Sequence, residues 1–320
     1  MVRQTITGGM TNTLEVPGGR LYYEVRGSGP VLLVIGQPMT SEPFAPVADL
    51  LADQYTVVTY DPRGLGNSAV DDPTRDVTPE VEGDDLAALI DAVGGGAAEV
   101  FGTSGGAVAG LALLAQHPDR VHHLIAHEPP VTELLPDAQA VRAAVDDVQD
   151  AYRDNGSGAA WGKFMSLVVH SGEVPDSGVP FVSWPPREAD ESRNEDVVQN
   201  PDPPAHVAGT GDSSGDQDAD EANRDKQTSH DELFFLHMLK PFTRYEPPVE
   251  LLRARAPRIV VAVGESSGGE IARRSAVALA ERLGSSPVTF PGDHGGFMGD
   301  PGGFAEAIRR ALTAVSDARR

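Results

Sequence analysis

The chain of 320 residues contains no cysteine, which removes disulfides, thiolate metal sites and a cysteine nucleophile together. Any covalent or acid–base chemistry must use oxygen or imidazole. Basic charge is scarce: 25 lysines and arginines, three of them lysine, stand against 48 acids for a net charge of −23. Such a surface repels polyanions at long range, which argues against nucleic acid and an anionic membrane as partners. Apolar runs such as Val31–Ile35 fall far below the roughly 18 residues of a membrane span. The opening Met1-Val-Arg-Gln-Thr-Ile has no apolar signal core, so a cytoplasmic protein is expected. What is present, 40% hydrophobic residues, suffices for one large core or two modest ones.

Leu14–Val16 and Leu21–Val25 flank the turn Pro17-Gly-Gly19 and read as a hairpin. Strand and helix patterns then alternate. Strands are expected at Val31–Ile35, Tyr55–Tyr60, Glu99–Thr103 and Val121–His127. Helices are expected at Ser41–Asp53, Pro79–Val93 and Gly106–His117. That alternation predicts a mainly parallel sheet covered on both faces. From 130 to 248 the pattern changes to helices at Asp137–Asp154, Ala159–His170 and Asp231–Leu239, with a Pro/Ser/Asp/Gly-rich passage between the last two. Its acidic part, within 200–228, reads as a solvated loop. Strands Ile259–Val263 and Val288–Phe290 and helices Glu270–Leu283 and Phe304–Val315 resume the alternation. The organisation is therefore a core at 1–129 and 249–320 interrupted by an insertion at 130–248.

The segment Val100-Phe-Gly-Thr-Ser104-Gly-Gly-Ala satisfies G-x-S-x-G between an expected strand and an expected helix. Glycines at both flanks permit a sharp turn that exposes Ser104, and the helix after it aims free N–H groups at charge developing there. A serine nucleophile needs a base. His294, on the glycine-flanked loop after the last strand, is the histidine placed to reach it. Two carboxylates at strand ends compete to orient that histidine, Glu128 and Glu265, whereas Asp293 adjoins His294 and its side chain should diverge. Backbone N–H groups of Gly105 and of Gln37, in Ile35-Gly-Gln37-Pro-Met after the third strand, are the expected oxyanion donors. His123 and His127 would lie about 13 Å apart along a strand, too far to share a metal. No metal and no cofactor are expected. Gly64-Leu-Gly66-Asn-Ser-Ala69 imitates a dinucleotide fingerprint, but no helix pattern follows it.

Over nearly its full length the chain resembles the α/β-hydrolase superfamily. The resemblance rests on Val31–Gly36 with its following loop, Asp61-Pro-Arg-Gly-Leu-Gly-Asn-Ser68, the Gly102–Gly106 elbow and Gly292-Asp-His294-Gly-Gly. It implies an α/β-hydrolase fold: a mostly parallel eight-stranded sheet with helices on both faces and an inserted, mainly helical cap. Two departures stand out. Ile35-Gly36 replaces the usual His-Gly, and Ser267 in Val263-Gly-Glu-Ser-Ser267 occupies the usual acid position. The second favours Glu128, because in zearalenone lactone hydrolases and some haloalkane dehalogenases a glutamate ending the sixth strand orients the histidine. Dehalogenase and epoxide hydrolase chemistry is disfavoured, since those relatives use an aspartate nucleophile.

The expected function is a serine hydrolase of a small-molecule ester or lactone, with Ser104, His294 and Glu128 catalytic. Trp161, Phe164, Met165, Trp184, Phe234, Phe235 and Met238 are candidates for an apolar wall over Ser104. A slow-turnover binding or receptor protein, or a perhydrolase or carbon–carbon hydrolase on the same triad, are the alternatives.

Overall fold

A computed structural model describes residues 9–94, 96–181 and 226–317. The expected loop within 200–228 falls almost wholly outside the described residues, as does Trp184.

The sheet strands are β1 (Met10–Val16), β2 (Gly19–Gly27), β3 (Val31–Gln37), β4 (Thr56–Tyr60), β5 (Ala69–Val70), β6 (Ala98–Ser104), β7 (Val121–His127), β8 (Ile259–Gly264) and β9 (Val288–Phe290). Their order is β1-β2-β4-β3-β6-β7-β8-β9, with the two-residue β5 pairing β2 off this path. From β4 to β9 every pairing is parallel, and β1, β2 and β5 supply the antiparallel end. Eight strands on the path match the sequence expectation. β5 was not foreseen, since two half-buried residues carry no periodicity.

Alternate side chains along each strand face opposite layers, and the two cores divide on that rule. Leu33, Ile35, Val100, Leu124, Ala126 and Val261 pack under helices α2 (Pro79–Ala92) and α3 (Gly105–Gln116). Their neighbours Leu32, Val34, Phe101, Ile125 and Val260 pack with α1 (Ala45–Leu51) on the other face. The insertion between β7 and β8 has a core of its own. In α4 (Ala138–Asn155), Val141, Val145 and Val148 recur at helical spacing and meet Leu167 of α5 (Ser157–Val168) and Leu233, Phe234 and Phe235 of a third helix, α6, over 226–243. α6 winds as a π-helix at Leu233–Met238, a departure from the regular helix expected there. The chain returns through α7 (Val249–Arg253), α8 (Ile271–Leu283), the short α9 (Gly296–Gly299) and α10 (Pro301–Asp317). Among the described residues, no helix is long and apolar enough to cross a membrane.

The loop Asp61–Ser68 braces the chain that leaves β3 and β4. Asp61 Oδ1 accepts from the Ser41 N–H (2.8 Å) and hydroxyl (2.7 Å), while Oδ2 accepts from the Asn67 N–H (2.7 Å). Two residues on, Arg63 forms a two-pronged pair with buried Asp85, Nε to Oδ2 at 2.9 Å and Nη2 to Oδ1 at 2.6 Å. These contacts tie the loops after β3 and β4 to α2, holding the segment that carries Gln37.

Candidate active site

Sheet register gathers the candidate residues at one edge. Gln37 pairs with Ser104, Thr103 with His127, and His127 with Ala262, so β3, β6 and β7 end within a residue of one another and β8 runs two residues further, to Gly264. Ser104 sits at φ 54° and ψ −130°, a conformation a non-glycine residue rarely adopts, between β6 and the first turn of α3. Its glycine flanks are obligatory. A Cβ on Gly102 would lie 2.6 Å from the Gly106 carbonyl oxygen, and one on Gly106 would lie 2.6 Å from that of Ile35. Gly105 is likewise pressed on Gln37, whose carbonyl oxygen and Cβ would stand 2.9 and 3.0 Å from an added Cβ. The two expected oxyanion donors are thus adjacent.

Glu128 is the other non-glycine residue with positive φ, 46°, among the described residues. The turn it makes as the chain leaves β7 directs its fully buried carboxylate between β8 and the His294 loop. Oε1 accepts from the Gly264 N–H at 2.9 Å, and Oε2 is 2.8 Å from His294 Nδ1. Burial alone would raise this carboxyl. The hydrogen bond and field of His294 and the Gly264 N–H outweigh it and hold Glu128 below the ordinary glutamate value. An ionised acceptor on Nδ1 fixes the proton there and leaves Nε2 free to accept one. His294 keeps about a fifth of its side chain exposed (22%), on the side facing the cavity it shares with Ser104.

Glu265 is carried elsewhere. Its side chain is exposed, and its backbone N–H donates to the Phe290 carbonyl at 3.0 Å, so the competition between the two carboxylates ends with Glu128 on the imidazole. Asp293 turns back on its own loop, accepting from the Gly295 N–H at 2.9 Å.

His127 has a part that sequence spacing left open. It is buried against Phe101, Phe290 and Phe304, lies 2.9 Å through Nδ1 from Thr103 Oγ1, and stacks on the His294 ring at 6.3 Å. Burial lowers its pKa to about 4, so it is a neutral spacer under the His294 ring. Among the described residues, no cluster of His, Cys, Asp and Glu could hold a metal.

Ser104 and His294 open on a cavity whose empty space, counted out into the adjoining solvent, is about 720 Å³. Its far wall comes from the insertion: Val141 and Val145 of α4, Phe164, Leu167 and Val168 of α5, and Phe234, Met238, Leu239 and Phe242 of α6. Of the aromatic and methionine candidates, Phe164, Phe234 and Met238 line it. Trp161, Met165 and Phe235 do not, which corrects the expectation for those three. Trp161 donates from Nε1 to Asp231 Oδ1 (3.1 Å) and stacks on Phe234 at 5.4 Å, and Phe235 is fully buried beside Tyr152. Ile271 and Ala272, which open α8, complete the wall without having been foreseen. No sequence signal separates them from an ordinary helix start.

The chain belongs to the alpha/beta hydrolase fold family, whose pattern matches residues 29–245. It is similar to the uncharacterized hydrolase YraK of Bacillus subtilis (strain 168), with 44% identity over 124 residues, which are 38% of this chain and 46% of YraK. The chain thus spans under half the length of that relative. Among solved structures it is similar to a thermophilic esterase from Thermogutta terrifontis (21% identity, 96% of this chain and 99% of that one, TM-score 0.60). It is also similar to the enol-lactonase from Burkholderia xenovorans LB400 (16% identity, 94% and 100%, TM-score 0.58). At such identities these two likenesses speak for the fold.

Proposed function

We propose that the protein hydrolyses carboxylic esters or lactones through an acyl-enzyme on Ser104. The observation that carries this reading is the hydrogen bond of His294 Nδ1 to Glu128, beside a serine on a strained elbow that opens on the same cavity. His294 Nε2 takes the Ser104 proton as Oγ attacks the carbonyl carbon, and the N–H groups of Gln37 and Gly105 hold the oxygen that becomes negative. The imidazolium returns its proton to the leaving alkoxide, releasing the alcohol. Water, deprotonated by the same nitrogen, then attacks the acyl carbon, and Ser104 leaves with the proton. Glu128 keeps the imidazole in the productive tautomer and stabilises its charge without taking the proton. A hydrogen bond from the Ser104 hydroxyl to His294 Nε2 is of the kind that commonly tightens in the Michaelis complex.

The insertion at 130–248 acts as a cap that excludes water and receives the apolar part of the substrate on α4, α5 and α6. Hydrolysis of p-nitrophenyl esters and aliphatic lactones of graded length, beside carbamates, tests the reading. Turnover of esters or lactones that falls by at least roughly 10⁴ in a folded Ser104→Ala variant is expected. Failure of the folded wild-type protein on every ester and lactone refutes it.

A further inference from the structure

Among the described residues, the cavity over Ser104 is apolar apart from a few side chains, and all but one of those have a task. Ser104 and His294 face the reaction. The Thr132 hydroxyl donates to the Thr243 carbonyl and the Thr243 hydroxyl to the Leu239 carbonyl, each at 2.7 Å. The remaining one is Gln37. Its side chain is 96% buried (4% exposed), and its Nε2 donates to the Met238 thioether sulfur at 3.6 Å. Its Oε1 is buried with no partner. Among the described residues, this oxygen is the one unpartnered buried side-chain atom that belongs to a residue lining the cavity.

A thioether is a weak acceptor, and a buried carbonyl oxygen left unpaired is a standing penalty that folded proteins seldom carry without a reason. The contact to Met238, itself a wall residue, engages the Nε2 end of the amide and leaves Oε1 as its unsatisfied end. We propose that the Gln37 side-chain carbonyl is a specificity element: it accepts a hydrogen bond from an O–H or N–H that the substrate carries close to its scissile carbonyl. The inference rests on the Ser104 reading and deepens it. Gln37 stands opposite Ser104 in the β3–β6 register, and its backbone N–H addresses the carbonyl oxygen. A donor within reach of its side chain therefore belongs to the acyl portion. The substrate class is an ester or lactone with a hydroxyl or amide N–H on the acyl chain near the reacting carbon, the remainder being apolar.

The test compares the p-nitrophenyl esters of β-hydroxybutyrate, butyrate and β-methoxybutyrate. Wild type should show kcat/KM for the hydroxy ester about ten- to hundredfold above both others, because the methoxy group fills the same space without a donor. Gln37→Met should bring the hydroxy-to-plain ratio to within about twofold of one, and Gln37→Glu, which keeps an acceptor, should retain the preference. A purely structural role for Gln37 would lower all three rates together. A ratio near one in wild type, a ratio unmoved by Gln37→Met, or a preference for the methoxy ester overturns the proposal. Calorimetric titration of Ser104→Ala with the hydroxy and plain esters reads the same preference without chemistry. Retained binding preference in a wild type that hydrolyses neither ester would sink the Ser104 reading alone, and hydrolysis of both at equal rates would sink this inference alone.

Discussion

Replacing Glu128 by Gln removes one charge and almost no volume, yet the geometry around it forces a large effect. One carboxylate oxygen is held by the Gly264 N–H at 2.9 Å and the other faces His294 Nδ1 at 2.8 Å, with no side-chain exposure through which water could intervene. An amide in that place must turn its oxygen to Gly264, because the opposite orientation sets two N–H donors against each other. Its NH₂ then points at Nδ1, which can receive it only as a lone pair. The imidazole proton moves to Nε2, the atom that must take the proton of Ser104. A comparable forced tautomer in a serine protease triad lowers kcat by about 10⁴, or about 5 kcal/mol of barrier. Steady-state hydrolysis of p-nitrophenyl butyrate by Glu128→Gln should therefore lose kcat by about 10³ to 10⁴, with KM moving only a few-fold. Near-ultraviolet circular dichroism should show an intact fold, and Glu265→Gln, at an exposed side chain, should match wild type. A folded Glu128→Gln enzyme within about tenfold of wild-type kcat would show that Glu128 does not set the His294 tautomer.

His127 should impose a pH dependence on stability. Its pKa falls from 6.5 to about 4 on folding, so the contribution is whole above pH 6.5 and is lost as pH falls toward 4, reaching about 3 kcal/mol. Urea unfolding from pH 7.5 to 4.5 should show a shallower slope in His127→Phe, and an unchanged slope contradicts the assignment. Arg63→Met leaves the Asp85 carboxylate unpaired beside fully buried Glu82, whose pKa burial and Asp85 already raise to about 7. A loss of about 3–5 kcal/mol in chemical denaturation is expected, and a loss below about 1 kcal/mol would show the pair to be dispensable. Phe234→Ala widens the cavity on its cap side, so the preferred acyl or alcohol chain should lengthen in a chain-length series, and an unaltered profile would place the substrate elsewhere.

The alternation of strands and helices was legible because parallel strands buried on both faces leave continuous β-branched and aliphatic runs, as at Val31–Ile35 and Ile259–Val263. Ser104 was legible through its glycines, each of which occupies a place where a Cβ would strike backbone. Glu128 was not decidable from residue types alone. Both it and Glu265 follow β-strands, and what separates them is a backbone turn at positive φ together with the Gly264 N–H, neither of which has a pattern in the chain. The cavity wall was the least legible part. Trp161, Phe164, Phe234 and Phe235 form one aromatic cluster of interchangeable chemistry, and their helices decide which of them face Ser104. The π-helical stretch Leu233–Met238 shifts that facing within α6, and periodicity at the ordinary helical repeat does not foresee such a shift.

Covalent chemistry at Ser104 is the claim on which the rest depends. Treatment of the purified protein with a fluorophosphonate probe, followed by peptide mass spectrometry, reads it directly. One adduct is expected, on Ser104, absent in Ser104→Ala and formed far more slowly in Glu128→Gln but at the wild-type rate in Glu265→Gln. A folded wild-type protein that takes no label, or takes it on another residue, would contradict it.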